Sequence, residues 1–224
     1  MKTHIAAALA LSAAIILFGP SAGATKPAPP PDKPTAAETP FVSRATAELQ
    51  KMYGTTAAAA AAGYFQYTDE DSTGAISWIN TKYWTSDETH PSQLWYDVKG
   101  RLIGVDYAVP KGTTKVGPSK WGILPARWFE FEAHVHYAVK NAMGAITYNY
   151  LLTGQVTKVG GSPMHPTAAD VVKIGKAKST SDVLFTFAFP DVWDLEFWVV
   201  PNPKGVFATK NPAVIPSAKA EKQM

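Results

Sequence analysis

From Gly63 onward the hydropathy of the chain repeats every second residue, and this period constrains the fold more than any other feature. Successive side chains of a strand point to opposite faces, so an alternating segment buries one face and leaves the other for water or a second layer. Eight segments read this way between Gly, Pro, Asn and Asp turns: 64–68, 75–80, 94–97, 101–109, 128–139, 145–152, 183–189 and 192–200. The fold class that follows is mainly β, an antiparallel β-sandwich or barrel, with one N-terminal helix and one short inserted helix.

The helices have their own signals. Thr39 can cap and Pro40 suits a first helical position, and Phe41, Ala45, Leu49, Met52 and Tyr53 fall on one face before Gly54. The Ala57–Ala62 run fits either a second short helix or a connection. Further on, Thr167 and Asp170 form a capping box, Val171, Val172 and Ile174 supply apolar contacts, and Gly175 stops the helix. The stretch Tyr96-Asp97-Val98-Lys99-Gly100-Arg101-Leu102 resembles the hairpin signature of YD-type repeats; it occurs once, and implies a hairpin.

At the N-terminus, Lys2 and His4 precede an apolar run from Ile5 to Phe18, and Ala22-Gly23-Ala24 follows Pro20 as a small-x-small cleavage signature. Residues 1–24 therefore read as a secretory signal peptide cleaved after Ala24, too short in its apolar part for the roughly 20 residues that span a bilayer. The expected address is secreted or periplasmic, with no stable membrane anchor after cleavage. Residues 25–40 hold six prolines in sixteen positions and read as an extended tether. The body is expected over 41–210 as a single β-rich domain, and 211–224 as a flexible tail.

Composition narrows the function. The chain has 224 residues, a net charge of +3 and scattered basic residues, which disfavours a nucleic-acid partner. It has no cysteine, so stability must come from burial, and thiolate metal sites and thiol nucleophiles are excluded. No G-x-S-x-G elbow, P-loop, strand-linked G-x-G-x-x-G or H-E-x-x-H appears, so no nucleotide cofactor is expected.

The most informative stretch is Trp128-Phe-Glu-Phe-Glu-Ala-His-Val-His-Tyr137. Its alternation puts Phe129, Phe131, Ala133, Val135 and Tyr137 on one face, expected to be core. Glu130, Glu132, His134 and His136 share the other. Carboxylates and imidazoles at successive same-face positions can converge on one metal ion. His90 and His165 both stand before Pro and Ser or Thr, and His165 precedes the capped helix, whose positive end keeps an imidazole neutral. The candidate metal set is therefore His134, His136, His165, His90, Glu132 and Glu130. Imidazole with carboxylate suits zinc or copper, and Met143 and Met164 could add a thioether for copper. Nothing in the sequence fixes whether turnover occurs, although an open metal position would allow Glu130 or Glu132 to act as a general base.

The His-x-His pair resembles the first motif of the cupin family, Gly-x5-His-x-His-x3,4-Glu-x6-Gly, with His165 as the late histidine. Lys140 and Asn141 stand where the motif has its carboxylate, and Trp128 where it has its first Gly. The resemblance implies a double-stranded barrel and, as one alternative, a cupin-like metalloenzyme. A second alternative is a metal-free small-molecule or carbohydrate-binding or structural module, suggested by Trp78, Tyr83, Trp84, Trp95, Tyr96, Trp121 and Trp128 around the turns. Asp69–Gly74 opens like a calcium loop but ends on Asn80, so an acidic hairpin turn is expected. Asp194 and Glu196 share a strand face opposite Trp193, Leu195, Phe197 and Val199, and are expected to be solvated. The leading expectation is an exported soluble β-rich protein that binds a divalent transition metal, zinc or copper, or a small ligand on the His-x-His strand.

Overall fold

The computed structural model describes residues 30–220; the leader expected over 1–24 lies outside the described residues. The described residues are mainly antiparallel β, with nine strands in two sheets. The strands are β1 (Phe65–Gln66), β2 (Ile76–Ile79), β3 (Gln93–Tyr96), β4 (Leu102–Pro110), β5 (Phe129–Phe131), β6 (His134–Lys140), β7 (Ile146–Leu152), β8 (Val183–Phe189) and β9 (Val192–Trp198). Their orders are β1-β2-β3-β4-β9-β5 in the larger sheet and β7-β6-β8 in the smaller. Both sheets stay open, so the sandwich half of the expectation holds and no closed barrel forms.

Among the described residues there are four α-helices: α1 (Thr39–Tyr53), α2 (Thr56–Ala61), which takes the helical alternative for the alanine run, α3 (Thr153–Lys158), which is not among the expected helices, and α4 (Ala168–Lys173). The expected cap of α4 is present, with Thr167 and Asp170 bonded reciprocally. The Asp97–Gly100 turn joins β3 to β4 as the hairpin signature implies, with Gly100 at φ 72°.

The layers follow from where the apolar faces go. Phe41, Val42, Ala45, Leu49 and Tyr53 of α1 pack on one face of the larger sheet, against Leu94, Tyr96, Val105, Tyr107, Leu195 and Phe197. On the far side, Val135, Tyr137 and Leu151 of the smaller sheet pack against Val156 of α3 and Val171 of α4. Between the sheets Tyr67, Ile79, Ala108, Phe189 and Val192 form a third cluster. The smaller sheet therefore has no wet face over its centre. Each sheet is covered by helix on the outside and by the other sheet on the inside.

The segment expected as one strand over 128–139 is two. β5 pairs with β9 in the larger sheet, and β6 lies between β7 and β8 in the smaller. The break falls at Glu132–Ala133, where the Ala133 N–H donates to Asp191 Oδ1 at 2.8 Å. Asp191 follows Pro190 in the short link from β8 to β9, which crosses between sheets at the same place. Because the break resets the alternation, Val135 and Tyr137 are buried as expected, but Phe129 and Phe131 are 37% and 38% exposed rather than core.

Both ends of the described chain are tied down. The expected tether lies against the body from Asp32, whose carbonyl accepts from Phe207 N–H at 3.0 Å. The expected loose tail packs as far as Ala220: Asn211 donates to the Pro201 carbonyl, and Ser217 bonds Glu70 through backbone N–H and hydroxyl. Its prolines prevent regular structure, while side-chain bonds supply the attachment.

One close approach shapes the space between the sheets. The Trp95 indole lies across Gly104, its cross-strand partner, so near that a Cβ there would sit 2.1 Å from Trp95 Cε3. Gly104→Ala is therefore expected to displace the indole and cost about 1–3 kcal/mol, the usual range for overpacking, seen as a lower urea midpoint at unchanged slope.

Candidate functional site

The faces that meet between the sheets leave a cavity of about 600 Å³. Two chemically distinct walls form it. The smaller sheet contributes His134 and His136 from β6, Tyr150 and Leu152 from β7, and Phe189 from β8. The larger sheet contributes Gln93 and Trp95 from β3, Asp106 from β4, and Asp194, Glu196 and Trp198 from β9. Phe131 and Glu132 close one side.

His134 and His136 project together because they are two apart on β6, facing away from Val135 and Tyr137. Their Nε2 atoms are 2.9 Å apart, and His134 Nδ1 lies 2.7 Å from the Glu132 carbonyl. That carbonyl can only accept, so Nδ1 carries the proton and Nε2 of His134 presents a lone pair. His134 stacks on Phe189 and His136 on Phe187, with the Tyr67 ring edge-on to His136. Burial lowers the pKa of both imidazoles; with the neighbouring His134 adding repulsion, His136 falls to about 3. Both rings are neutral at physiological pH.

The other expected ligands are elsewhere or differently engaged. His90 bonds Asp87 through Nδ1 at 2.9 Å and packs on Tyr83, and it does not line the cavity. His165 is exposed before α4, and its backbone N–H bonds Ser162. Glu130 is exposed and paired with Lys111 at 2.8 Å. Glu132 reaches the cavity rim, although its closest service to the site is the carbonyl that fixes His134. The six expected ligands thus reduce to one histidine pair with Glu132 beside it. The two His-Pro motifs fail to converge because each belongs to a local turn.

The opposite wall carries a group of three acids, two of which, Asp194 and Glu196, sequence reading places in solvent. Asp106 and Glu196 are cross-strand partners on β4 and β9, and Asp194 is the next residue of β9 on the same face. Oxygens of all three carboxyls lie within 4.8 Å of one another. Asp106 is 3% exposed and Asp194 fully buried. Oδ1 of each has no hydrogen-bond partner in the protein. Asp194 Oδ2 accepts from Gln93 Nε2 at 3.4 Å, and Gln93 Oε1 in turn accepts from the Tyr67 hydroxyl. Burial first, then mutual repulsion, raises Asp106 and Asp194 well above ordinary carboxyls. Glu196 rises to about 7 through burial and the charge of Asp71. Among the described residues no Lys or Arg forms an ion pair with these acids.

A sequence signal for this wall exists. Asp106 interrupts the otherwise apolar Leu-Ile-Gly-Val-Asp-Tyr-Ala-Val run, and a carboxyl in the buried part of a strand must find a partner or shift its pKa, which makes it a candidate functional position. No protein-family model, curated protein or solved structure matches this chain.

Proposed function

We propose that this chain is an exported binding protein whose small ligand occupies the cavity between the two sheets, against the His134–His136 strand. The observation that carries the reading is the cavity itself: about 600 Å³, within the range of small-molecule sites, with aromatic rings and a few inward polar groups. Buried groups left without partners are costly for folding, and they are retained where a ligand supplies the partner. Export rests on the Ile5–Phe18 run and the Ala22-Gly23-Ala24 signature.

The test is a fluorescence titration with 1-aminoanthracene, a small flat probe that is uncharged at pH 8. Saturable enhancement is expected with the unaltered protein and severalfold weaker binding with Thr209→Trp, which puts a bulky ring on the exposed cavity rim. Equal binding by both proteins, or none by either, would remove the cavity from the proposal.

A second reading, chelation of zinc or copper by the histidine pair, is favoured by one specific observation. The tautomer of His134 is fixed by the Glu132 carbonyl, and its unprotonated Nε2 lies 2.9 Å from Nε2 of His136, close enough for both nitrogens to reach one ion. A backbone carbonyl that orients an imidazole in this way is a common support for a metal ligand. Elemental analysis after exposure to each metal is expected to give about one equivalent in the unaltered protein and none in His134→Ala/His136→Ala. Equal metal in both would end this reading without touching the first.

A further inference from the structure

We propose that the acidic wall of the cavity binds the ammonium group of a small organic amine, seated among Asp106, Asp194 and Glu196. This deepens the cavity reading above and rests on it.

Three observations converge. The first is geometric: one oxygen from each carboxyl lies within 4.8 Å of the other two, and a tetrahedral ammonium with hydrogen bonds of about 2.8 Å spans acceptors about 4.6 Å apart. The second is the unused bonding capacity. Asp106 and Asp194 are more than nine-tenths buried, both side chains line the cavity, and each keeps an Oδ1 with no protein partner. Such oxygens call for a donor, and an ammonium offers three. The third is the absence of a competing cation among the described residues: no Lys or Arg pairs with the acids.

The rest of the cavity favours an organic amine over a bare metal ion. Calcium takes six to eight oxygens and magnesium demands an octahedron, whereas the acids supply three side chains and the adjoining walls are largely aromatic. Trp95 and Trp198 stand beside the acids and Phe131 on the cavity side, so the apolar body of an amine finds rings to pack against. Ring faces also attract an ammonium directly. The cavity volume far exceeds what an ion needs, and it suits a ligand with about ten to twenty heavy atoms.

The test compares two probes of nearly equal shape by calorimetric titration at pH 8: phenethylamine, which is charged, and 2-phenylethanol, which is not. Phenethylamine is expected to bind about 10- to 100-fold more tightly, the factor that a hydrogen bond to a charged group supplies. Asp106→Asn/Asp194→Asn is expected to reduce that preference at least severalfold while leaving the alcohol's affinity unchanged. Equal affinities in the unaltered protein would overturn the amine site while leaving the cavity reading intact. Failure of both probes where 1-aminoanthracene binds would have the same meaning, and failure of all three would overturn both readings. Saturable binding of Ca²⁺ or Mn²⁺ that depends on the two aspartates, without amine binding, would reassign the acids to an ion. The probe comparison uses the unaltered protein, so it decides the matter even if the double variant fails to fold.

Discussion

Arg127→Ala is expected to lower the stability of the protein by about 3–5 kcal/mol at pH 7, measured by urea titration, because it leaves a buried charge without its partner. The Arg127 side chain is 4% exposed and that of Glu38 fully buried. Arg127 donates from Nε to Glu38 Oε1 at 2.9 Å and from Nη2 to Oε2 at 3.1 Å, and Nη2 also reaches the Lys33 carbonyl. The guanidinium lies 3.9 Å from the centre of the Phe207 ring. Glu38 further accepts from the backbone N–H groups of Thr35 and Leu124. This one contact fastens residues 33–38, the start of α1 and the Pro125–Arg127 turn to each other. Burial alone would raise the Glu38 pKa, but the bonds from Arg127 and the backbone outweigh it and hold the group at about 2, below its ordinary 4.5. Between those two values the unfolded chain binds the proton that the folded chain refuses, so stability falls as pH drops from 4.5 to 2. Arg127→Ala should flatten that acid limb. Glu38→Leu/Arg127→Met should be less damaging than Arg127→Ala, since it leaves no unpaired charge. A loss under about 1 kcal/mol for Arg127→Ala would mean that the Pro-rich segment does not stay docked in solution.

This contact also shows where sequence reading stops. Residues 30–38 have the irregular backbone that their prolines favour, yet irregular is not loose: a buried Glu–Arg pair 89 residues apart is invisible to local pattern. The strands and the α4 cap are legible because periodicity, turn residues and capping boxes act within a few residues. The break between β5 and β6 is not legible, since Phe-Glu-Phe-Glu-Ala-His-Val-His alternates without a Gly or Pro, and the interruption is fixed by Asp191, 58 residues away. Alternation also identifies which residues share a face without saying what that face meets. Asp194 and Glu196 do lie opposite Trp193, Leu195 and Phe197, but a second sheet stands where the sequence suggests water. For the same reason His134 and His136 are a correct pair on an unexpected interior wall, whereas His90 and His165, alike in motif, serve separate turns.

The acidic wall makes the second large prediction, one of pH dependence in the ligand-free protein. Glu196 is held at about 7 against an ordinary 4.5, so between those values the folded chain keeps a proton that the unfolded chain has released. Stability attributable to Glu196 therefore falls as pH rises through that window, by a loss on the order of 3 kcal/mol that is complete above pH 7. The groups around it are Asp71 from the β1–β2 turn, Asp106 on β4, Asp194 on β9, Tyr67 after β1, and His134 and His136 on β6. His136 acts in the opposite sense: with a folded value of about 3 against 6.5, its contribution to stability grows as pH rises from 3 to 6.5. The two slopes oppose each other between pH 4.5 and 6.5, so the curve of the unaltered protein alone conceals both. Comparison with Glu196→Gln separates them, because the histidine contribution is common to both proteins. Urea titrations at pH 5 and pH 8 should show Glu196→Gln gaining on the unaltered protein as pH rises. A difference that stays constant with pH would mean that Glu196 titrates as an ordinary surface carboxyl, and the acidic wall would lose its distinction. A cation that binds the ionised wall should return the stability that ionisation removes, since a ligand for the folded state alone shifts unfolding by mass action. Phenethylamine should therefore raise the urea midpoint at pH 8 in the unaltered protein and much less in Asp106→Asn/Asp194→Asn.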